Sequence, residues 1–143
     1  MYIICGHSSV VERLVANEKV EGSSPFARTI LNMDELYLKN CISCDGDVPP
    51  FDTSEIHKYL KKIDGWDVKD NTEENYYLEK IFKFKNFIAS QEFVNKVGLI
   101  AEEEGHHPDI YYGWGYAKIK IFTHAIKGLT ESDFILAAKI DKI

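Results

Sequence analysis

Cysteine and long hydrophobic runs are both scarce in this sequence of 143 residues. The three cysteines are an odd number and too few for the disulfide framework of a small secreted domain, so the expected compartment is a reducing cytoplasm. No apolar run approaches the roughly 20 residues that span a bilayer, and no membrane partner is expected. Basic residues are also few, and 17 Lys and Arg against 23 Asp and Glu give a net charge of −6. This balance argues against a nucleic-acid partner, because binding phosphates requires clustered positive charge.

The pair Cys41-x-x-Cys44 could be half of a zinc site or a redox pair. A structural zinc site needs four ligands, and no second CxxC or HxxxH follows at a suitable spacing. A redox pair would need a strand-to-helix junction, whereas the loop-forming sequence GDVPP follows here. We interpret both residues as ordinary thiols and predict no metal site.

The first 32 residues differ in character from the rest of the chain. Ser9-x-x-Glu12 could begin a short amphipathic helix. However, the stretch SSVVERLVANEKVEGSSPFAR resembles the product of translating a transfer-RNA gene. We interpret residues 1–32 as a non-native, poorly ordered extension. Residues 33–143 would then form one domain that begins at Met33 and carries the whole net charge.

Residues 33–143 alternate between helical and strand patterns. Capping boxes at Asp52-x-x-Glu55 and Thr130-x-x-Asp133 predict two helix starts, and Asn86 predicts a third helix that Gly105 ends. Alternating apolar residues predict four strands, at 66–68, 76–84, 109–112 and 116–123. The resulting order αββαββα predicts an α+β fold, in which helices cover one face of a four-stranded antiparallel sheet.

Two adjacent histidines, His106 and His107, lie between a helix end and a proline in the segment EEEGHHPDI. Pro108 disfavours helical geometry for the residue before it, so His107 is expected to be extended. Adjacent extended residues point in opposite directions. The two imidazoles could therefore reach different parts of one cavity.

Three carboxylates, Glu102, Glu103 and Glu104, precede these histidines at a helix C-terminus, where the helix dipole repels negative charge. Glu102 lies one helical turn before His106 and could orient a ring, or it could belong to a solvated face. We interpret Glu103 and Glu104 as a solvated face.

A third histidine, His124, follows the predicted strand at 116–123. The aliphatic residues of this strand and Thr123 share one face, so His124 lies on the opposite face. Strand ends often carry working residues. Asp133 is the third helical residue of a capping box, a structural role that is compatible with orienting a nearby histidine.

Three converging imidazoles permit two kinds of chemistry. They could bind zinc and leave one coordination position open, but adjacent histidines rarely point at one metal. Alternatively they could act as acids and bases, because a free imidazole has a pKa of roughly 6.5. The second interpretation suits elimination from a small molecule, a reaction that needs no electron carrier and no other cofactor.

Residues 33–143 resemble pterin-4a-carbinolamine dehydratases over essentially their whole length. The resemblance is carried by Glu102-x3-His106-His107-Pro108, followed at fixed gaps by Trp114, His124 and Asp133. Further support comes from Cys41, Pro49-Pro50, Trp66, FKFKNF and THAIKGLTESD.

The resemblance implies loss of water from a 4a-hydroxytetrahydropterin, which recycles the pterin cofactor of aromatic amino-acid hydroxylases. It implies a catalytic trio of His106, His107 and His124. It also implies four orienting or substrate-binding residues, Glu102, Pro108, Asp133 and Trp66. Of these, Trp66 would form an apolar wall of the pocket. Animal members carry arginine where this chain has Ser132, so a substrate contact from that position is not carried over.

The resemblance also implies association into a homodimer or homotetramer. The aromatic strand at 109–112, which has no lysine, is a candidate pairing edge. Two other roles stay open. Animal relatives also serve as dimerisation cofactors of a transcription factor, in which case residues 86–104 would be the docking helix, and the domain could act in another pterin pathway such as molybdopterin metabolism.

Overall fold

A computed structural model of the chain describes residues 36–42, 48–70 and 75–143. The sequence predictions for residues 1–32 and for Cys44 lie outside the described residues. Among the residues described, no helix combines the length and the hydrophobicity needed to cross a membrane.

The predicted order αββαββα is confirmed, with one 3₁₀ turn added before the last helix. The helices and strands, numbered in chain order, are α1 (Thr53–Leu60), β1 (Asp67–Asp70), β2 (Tyr76–Lys83), α2 (Phe87–Glu104), β3 (Asp109–Gly113), β4 (Tyr116–Ile121) and α3 (Glu131–Ile140). The 3₁₀ turn spans His124–Ile126.

The four strands form one antiparallel sheet in the order β1-β2-β4-β3. One face packs against the helices and buries Leu78 of β2 with Ala117, Ile119 and Ile121 of β4, each with no exposed surface. On the opposite face Ile81 is half exposed. Since burying apolar area stabilises a fold by about 25 cal/mol per Å², this one-sided alternation fixes which strand residues face the helices.

Helix α3 lies in the centre of the helical layer. Eight of its ten residues are buried, and they include the polar residues Ser132 and Asp133. A buried carboxylate is costly unless its oxygens accept hydrogen bonds, so Asp133 requires partners. The predicted capping box at Thr130 is present and supplies some of them.

Helix α2 begins and ends at the residues that the sequence indicated. The Asn86 side chain accepts a hydrogen bond from the Ala89 N–H at 2.8 Å. At the other end, Gly105 adopts the left-handed conformation with φ +62°, and the His106 N–H donates to the Ala101 carbonyl at 3.1 Å. This Schellman motif ends the helix immediately before the two histidines.

Five of the eight predicted strand ends differ from the observed ones by one or two residues, and two of these differences have a clear structural reason. β1 begins at Asp67, because Trp66 turns into the core before the strand starts. β4 ends at Ile121, because Thr123 instead forms an isolated bridge with Gly128 that closes the turn containing His124.

Candidate active site

His106 and Asp133 form a buried hydrogen-bonded pair. His106 Nε2 lies 2.8 Å from Asp133 Oδ1, and the aspartate side chain has no exposed surface. An ionised carboxylate only accepts hydrogen bonds, so His106 Nε2 carries the proton. The pair therefore leaves Nδ1 of a neutral His106 ring as the basic nitrogen.

The second oxygen of Asp133 is held by two threonines. Oδ2 accepts hydrogen bonds from the Thr130 N–H at 2.6 Å, the Thr123 hydroxyl at 2.9 Å and the Thr130 hydroxyl at 3.2 Å. These contacts join the start of α3 to the end of β4. The carboxylate that orients His106 is thus fixed by secondary structure on both sides.

His107 is paired with Glu102 at the surface. Its Nε2 lies 3.0 Å from Glu102 Oε2, and the two side chains are 63% and 82% exposed. The one-turn spacing of Glu102 and His106 suggested a different pair. Because the helix ends at Gly105, the chain turns away and the contact is made by the next residue, His107.

His124 lies exposed at the start of the 3₁₀ turn. Its ring packs against the Phe122 ring with 4.0 Å between centroids. The aromatic ring limits the positions that the imidazole can adopt.

The register of β3 and β4 brings the three histidines to one end of this strand pair. Asp109 pairs with Lys120. His106, His107 and Pro108 directly precede Asp109, the first residue of β3, and His124 follows three residues after Ile121, the last residue of β4. His106 faces the helical layer, where it contacts Asp133. His124 packs against Phe122, and His107 pairs with Glu102 at the surface.

Pro108, which is partly buried, separates the histidine pair from β3. Trp66 lies elsewhere: it is 4% exposed, packs edge-on against Phe82 and donates its indole N–H to Asp141 at 3.0 Å. It precedes β1, whereas Pro108 precedes β3, and these strands form opposite edges of the sheet. The wall role of Trp66 stays a prediction.

One interpretation of the acidic run was wrong. Glu103 is exposed, as expected of a solvated face, but the Glu104 side chain is only 7% exposed. It forms an ion pair with Lys139 of α3 and accepts a hydrogen bond from the Cys41 N–H at 2.7 Å. Cys41 and Glu104 are 63 residues apart in sequence, so the spacing of apolar and charged residues within the helix could not predict this contact.

Glu104 and Cys41 have shifted acidities. Burial of Glu104 opposes its ionisation, but hydrogen bonds from Lys139 and the Cys41 backbone outweigh that cost and lower the pKa of the carboxyl below 4.5. Burial, together with the neighbouring Glu104 charge, raises the pKa of the Cys41 thiol to about 12. The thiol therefore stays protonated at neutral pH.

Comparison with known proteins identifies the family. The family model described as pterin 4 alpha carbinolamine dehydratase matches residues 49–143. The chain belongs to this family. A protein of Rubrobacter xylanophilus, provisionally named as a pterin-4-alpha-carbinolamine dehydratase, is 48% identical over 111 residues, which cover 78% of this chain and 100% of the relative. A protein of Alkaliphilus metalliredigens with the same provisional name is 45% identical over 111 residues, 77% of this chain and 96% of the relative.

A solved structure from Brucella melitensis, described as a transcriptional coactivator/pterin dehydratase, shares the fold of the carbinolamine dehydratase domain. Its TM-score is 0.59 at 30% identity, over 65% of this chain and 96% of that chain. Membership of this family supports a carbinolamine dehydratase role, and the names of the relatives fit a hydro-lyase.

Two residues of the site, Thr123 and Phe122, were not identified as site residues from the sequence. Thr123 is a polar residue at the end of the buried row Ala117, Ile119 and Ile121, and its position in that row could have indicated a buried hydrogen-bond partner. Phe122 carried no signal, because an aromatic residue on an amphipathic strand is common.

Proposed function

We propose that this protein catalyses dehydration of a 4a-hydroxytetrahydropterin to the quinonoid dihydropterin by histidine acid/base catalysis, in the cytoplasm and without a metal or organic cofactor. The bond from C4a to the hydroxyl oxygen breaks, and the oxygen takes a proton and leaves as water. The neighbouring ring nitrogen loses its proton as a double bond to C4a forms. The product returns to the pterin cycle of an aromatic amino-acid hydroxylase.

The observation that carries this proposal is the His106–Asp133 pair at the same strand end as His107 and His124. One ring is buried and fixed by a carboxylate, and two are exposed. Imidazoles suit the reaction because they can donate and accept protons near neutral pH. Within residues 36–42, 48–70 and 75–143, His, Cys, Asp and Glu side chains form no group of three or more that could hold a metal ion.

We assign His106, in its protonated form with Nδ1–H as the donor, and His124 as the acids that flank the leaving hydroxyl. We assign His107 as the residue that holds the pterin and accepts the ring-nitrogen proton. Asp133 and Glu102 orient His106 and His107 respectively. His106 and His124 thus share the acid role, and His107 has the role of base.

The test is the rate of dehydration followed by ultraviolet absorbance after treatment with a chelator. We expect wild type to accelerate the reaction and His107→Ala to lose about a hundredfold or more in kcat, the usual scale for removing a general acid or base. His57→Ala is the matched control, because His57 is an exposed histidine on α1 whose ring contacts only the Thr53 carbonyl among the contacts described. A chain that begins at Met33 should retain full activity.

Loss of wild-type activity on chelation would contradict the cofactor-free mechanism. No acceleration by folded wild type would favour an interaction role instead. Helix α2 offers a surface for that role, since Phe87, Ile88 and Leu99 are exposed on it. A role in another pterin pathway would show as turnover of a different pterin substrate.

We also propose that the chain forms a homodimer or homotetramer with β3 at one interface. β3 is an edge strand of the sheet, and Tyr111 and Tyr112 are exposed on it. An edge strand without lysine presents unpaired backbone groups that a second copy can pair with. Sedimentation at micromolar concentration tests this, and a monomer would contradict it.

A further inference from the structure

A short dipeptide, Cys41-Ile42, connects the end of α2 to the start of α3. The Cys41 N–H donates to Glu104 Oε2 at 2.7 Å, and the Cys41 thiol donates to the Ser132 carbonyl at 3.4 Å. The Ser132 hydroxyl accepts from the Ile42 N–H at 3.1 Å and donates to the Ile42 carbonyl at 3.2 Å. We call this set of four residues, Cys41, Ile42, Glu104 and Ser132, the brace.

The two anchoring side chains of the brace are close in sequence to the buried pair of the site. Glu104 is the last residue of α2, two positions before His106. Ser132 directly precedes Asp133 on α3. The hydrogen bond of 2.8 Å between His106 and Asp133 therefore spans the same two helix ends that the brace connects.

The two anchoring side chains of the brace are largely buried, whereas Ile42 is exposed. Ser132 is 4% exposed and the Glu104 side chain 7% exposed. Glu104 also forms an ion pair with Lys139, which gives a second connection between α2 and α3. Removing either side chain takes hydrogen bonds away from partly buried groups of the brace, so the two helix ends can relax apart and water can replace those bonds.

We propose that Ser132 and Glu104 are positioning residues of the active site, which act through the brace to hold His106 and Asp133 at hydrogen-bonding distance. This inference rests on the proposed dehydratase function for its kinetic consequences. It also gives Ser132 a role that differs from substrate contact, because both described hydrogen bonds of its hydroxyl go to Ile42.

The kinetic test compares Ser132→Ala, Glu104→Ala and Glu104→Gln with wild type. Since a misplacement of about 1 Å can cost up to a hundredfold in rate, we expect the two alanine variants to lose about tenfold in kcat. KM should change by less than about twofold, because the described contacts of the two side chains are with Cys41, Ile42 and Lys139. Gln at position 104 keeps an acceptor for the Cys41 N–H, so Glu104→Gln should recover much of the loss caused by Glu104→Ala.

The matched control is Asp52→Ala. It removes the capping box of α1, which lies outside the brace, and lowers stability without changing the site. We expect its kcat at 25 °C to equal that of wild type. If Ser132→Ala and Glu104→Ala also keep full kcat while losing as much stability as the control, the brace supports only the fold and the proposal is wrong.

A second readout needs no substrate. The imidazole ¹⁵N resonances of His106 report which ring nitrogen carries the proton and whether it is hydrogen-bonded. We expect the ¹⁵N chemical shifts of His106 to change in Ser132→Ala and to remain at their wild-type values in Asp52→Ala. If wild type lacks dehydratase activity but the resonances move, the proposed function fails and the positioning role stands. Unchanged resonances in Ser132→Ala would overturn the positioning role alone.

Discussion

His106 and Asp133 are separated by 27 residues in sequence, and their side chains meet at 2.8 Å in the interior. The aspartate uses one oxygen for the histidine and the other for Thr123 and Thr130. One carboxylate thus begins a helix, joins it to the sheet and selects the tautomer of a ring. Local folding and the proposed function therefore both depend on this carboxylate.

Replacing Asp133 with asparagine should separate tautomer selection from packing. The amide oxygen can keep accepting from the Thr130 N–H, but the amide NH₂ then faces His106 Nε2 and forces that nitrogen to be the acceptor. In a serine protease, the corresponding loss of the correct tautomer costs about 10⁴ in kcat. We expect Asp133→Asn to lose about a hundredfold or more in kcat, measured by the absorbance assay.

Stability measurements separate this effect from unfolding. Urea denaturation should show that Asp133→Asn remains folded under the assay conditions, because asparagine retains the side-chain shape and the cap acceptor. Asp133→Ala should be far less stable, since it removes the carboxylate that accepts from the Thr123 hydroxyl and from the Thr130 N–H in the interior. Full activity in Asp133→Asn would contradict the role of the carboxylate.

The Cys41 thiol should be unreactive in the folded protein. Its pKa is raised from 9.0 to about 12, chiefly by burial, and only the thiolate reacts with alkylating reagents. We expect labelling at pH 8 to be slow in buffer and fast in concentrated urea, measured by mass spectrometry on a variant in which Cys5 and Cys44 are replaced by serine. Rapid labelling in buffer would show that the thiol is ionised.

The Glu104 carboxylate should contribute to acid sensitivity. Its pKa is lowered in the folded state, so its stabilising contribution is fully present above about pH 4.5 and is lost as the pH falls further. Glu104→Gln removes this ionisable group. We expect the variant to be less stable than wild type at pH 7 and the difference to narrow at pH 3, as measured by urea denaturation.

Glu103→Gln is the control for this comparison, because Glu103 is exposed on the same helical turn. Its stability should follow wild type at both pH values. A gap between wild type and Glu104→Gln that stays constant from pH 7 to pH 3 would mean that the ionisation of Glu104 has no influence on folding.

Trp66 should contribute strongly to stability. Its buried indole N–H donates to Asp141, whose carboxylate also accepts from Lys80 at 2.7 Å. Phenylalanine fills less volume and has no donor, so Trp66→Phe should lower the free energy of unfolding by about 2 kcal/mol. The KM of the same variant tests the pocket-wall prediction: a rise supports a wall in contact with the pterin, whereas an unchanged KM contradicts it.

The elements of this fold follow from local signals, and so do parts of the site. Capping at Asp52, Asn86 and Thr130 marked all three helix starts, because N-caps are made within four residues. The suggestion that Asp133 could orient a histidine matches its contact with His106. The suggestion followed from chemistry alone, because a carboxylate that caps a helix with one oxygen can accept a hydrogen bond from a histidine with the other.

The remaining features depend on distant contacts. Burial of the Glu104 side chain could not be predicted from local sequence, since its partners Cys41 and Lys139 are distant in the chain. The partner of Glu102 was displaced by one residue, because helical spacing ceases to apply once Gly105 ends the helix. Local sequence signals predict the helices and the candidate residues on them. The packing of α2 against α3 decides which of these residues are in contact.

The two exposed histidines have a consequence for how such a domain can change over generations. His107 and His124 lie at the surface, where most substitutions alter stability by less than about 0.5 kcal/mol. Under the proposed mechanism, a single substitution of His107 or His124 would end proton transfer, while the interior, with His106 and Asp133, would keep the fold intact. The fold can therefore persist after catalysis is lost, and a non-catalytic descendant would still contain the buried pair His106 and Asp133.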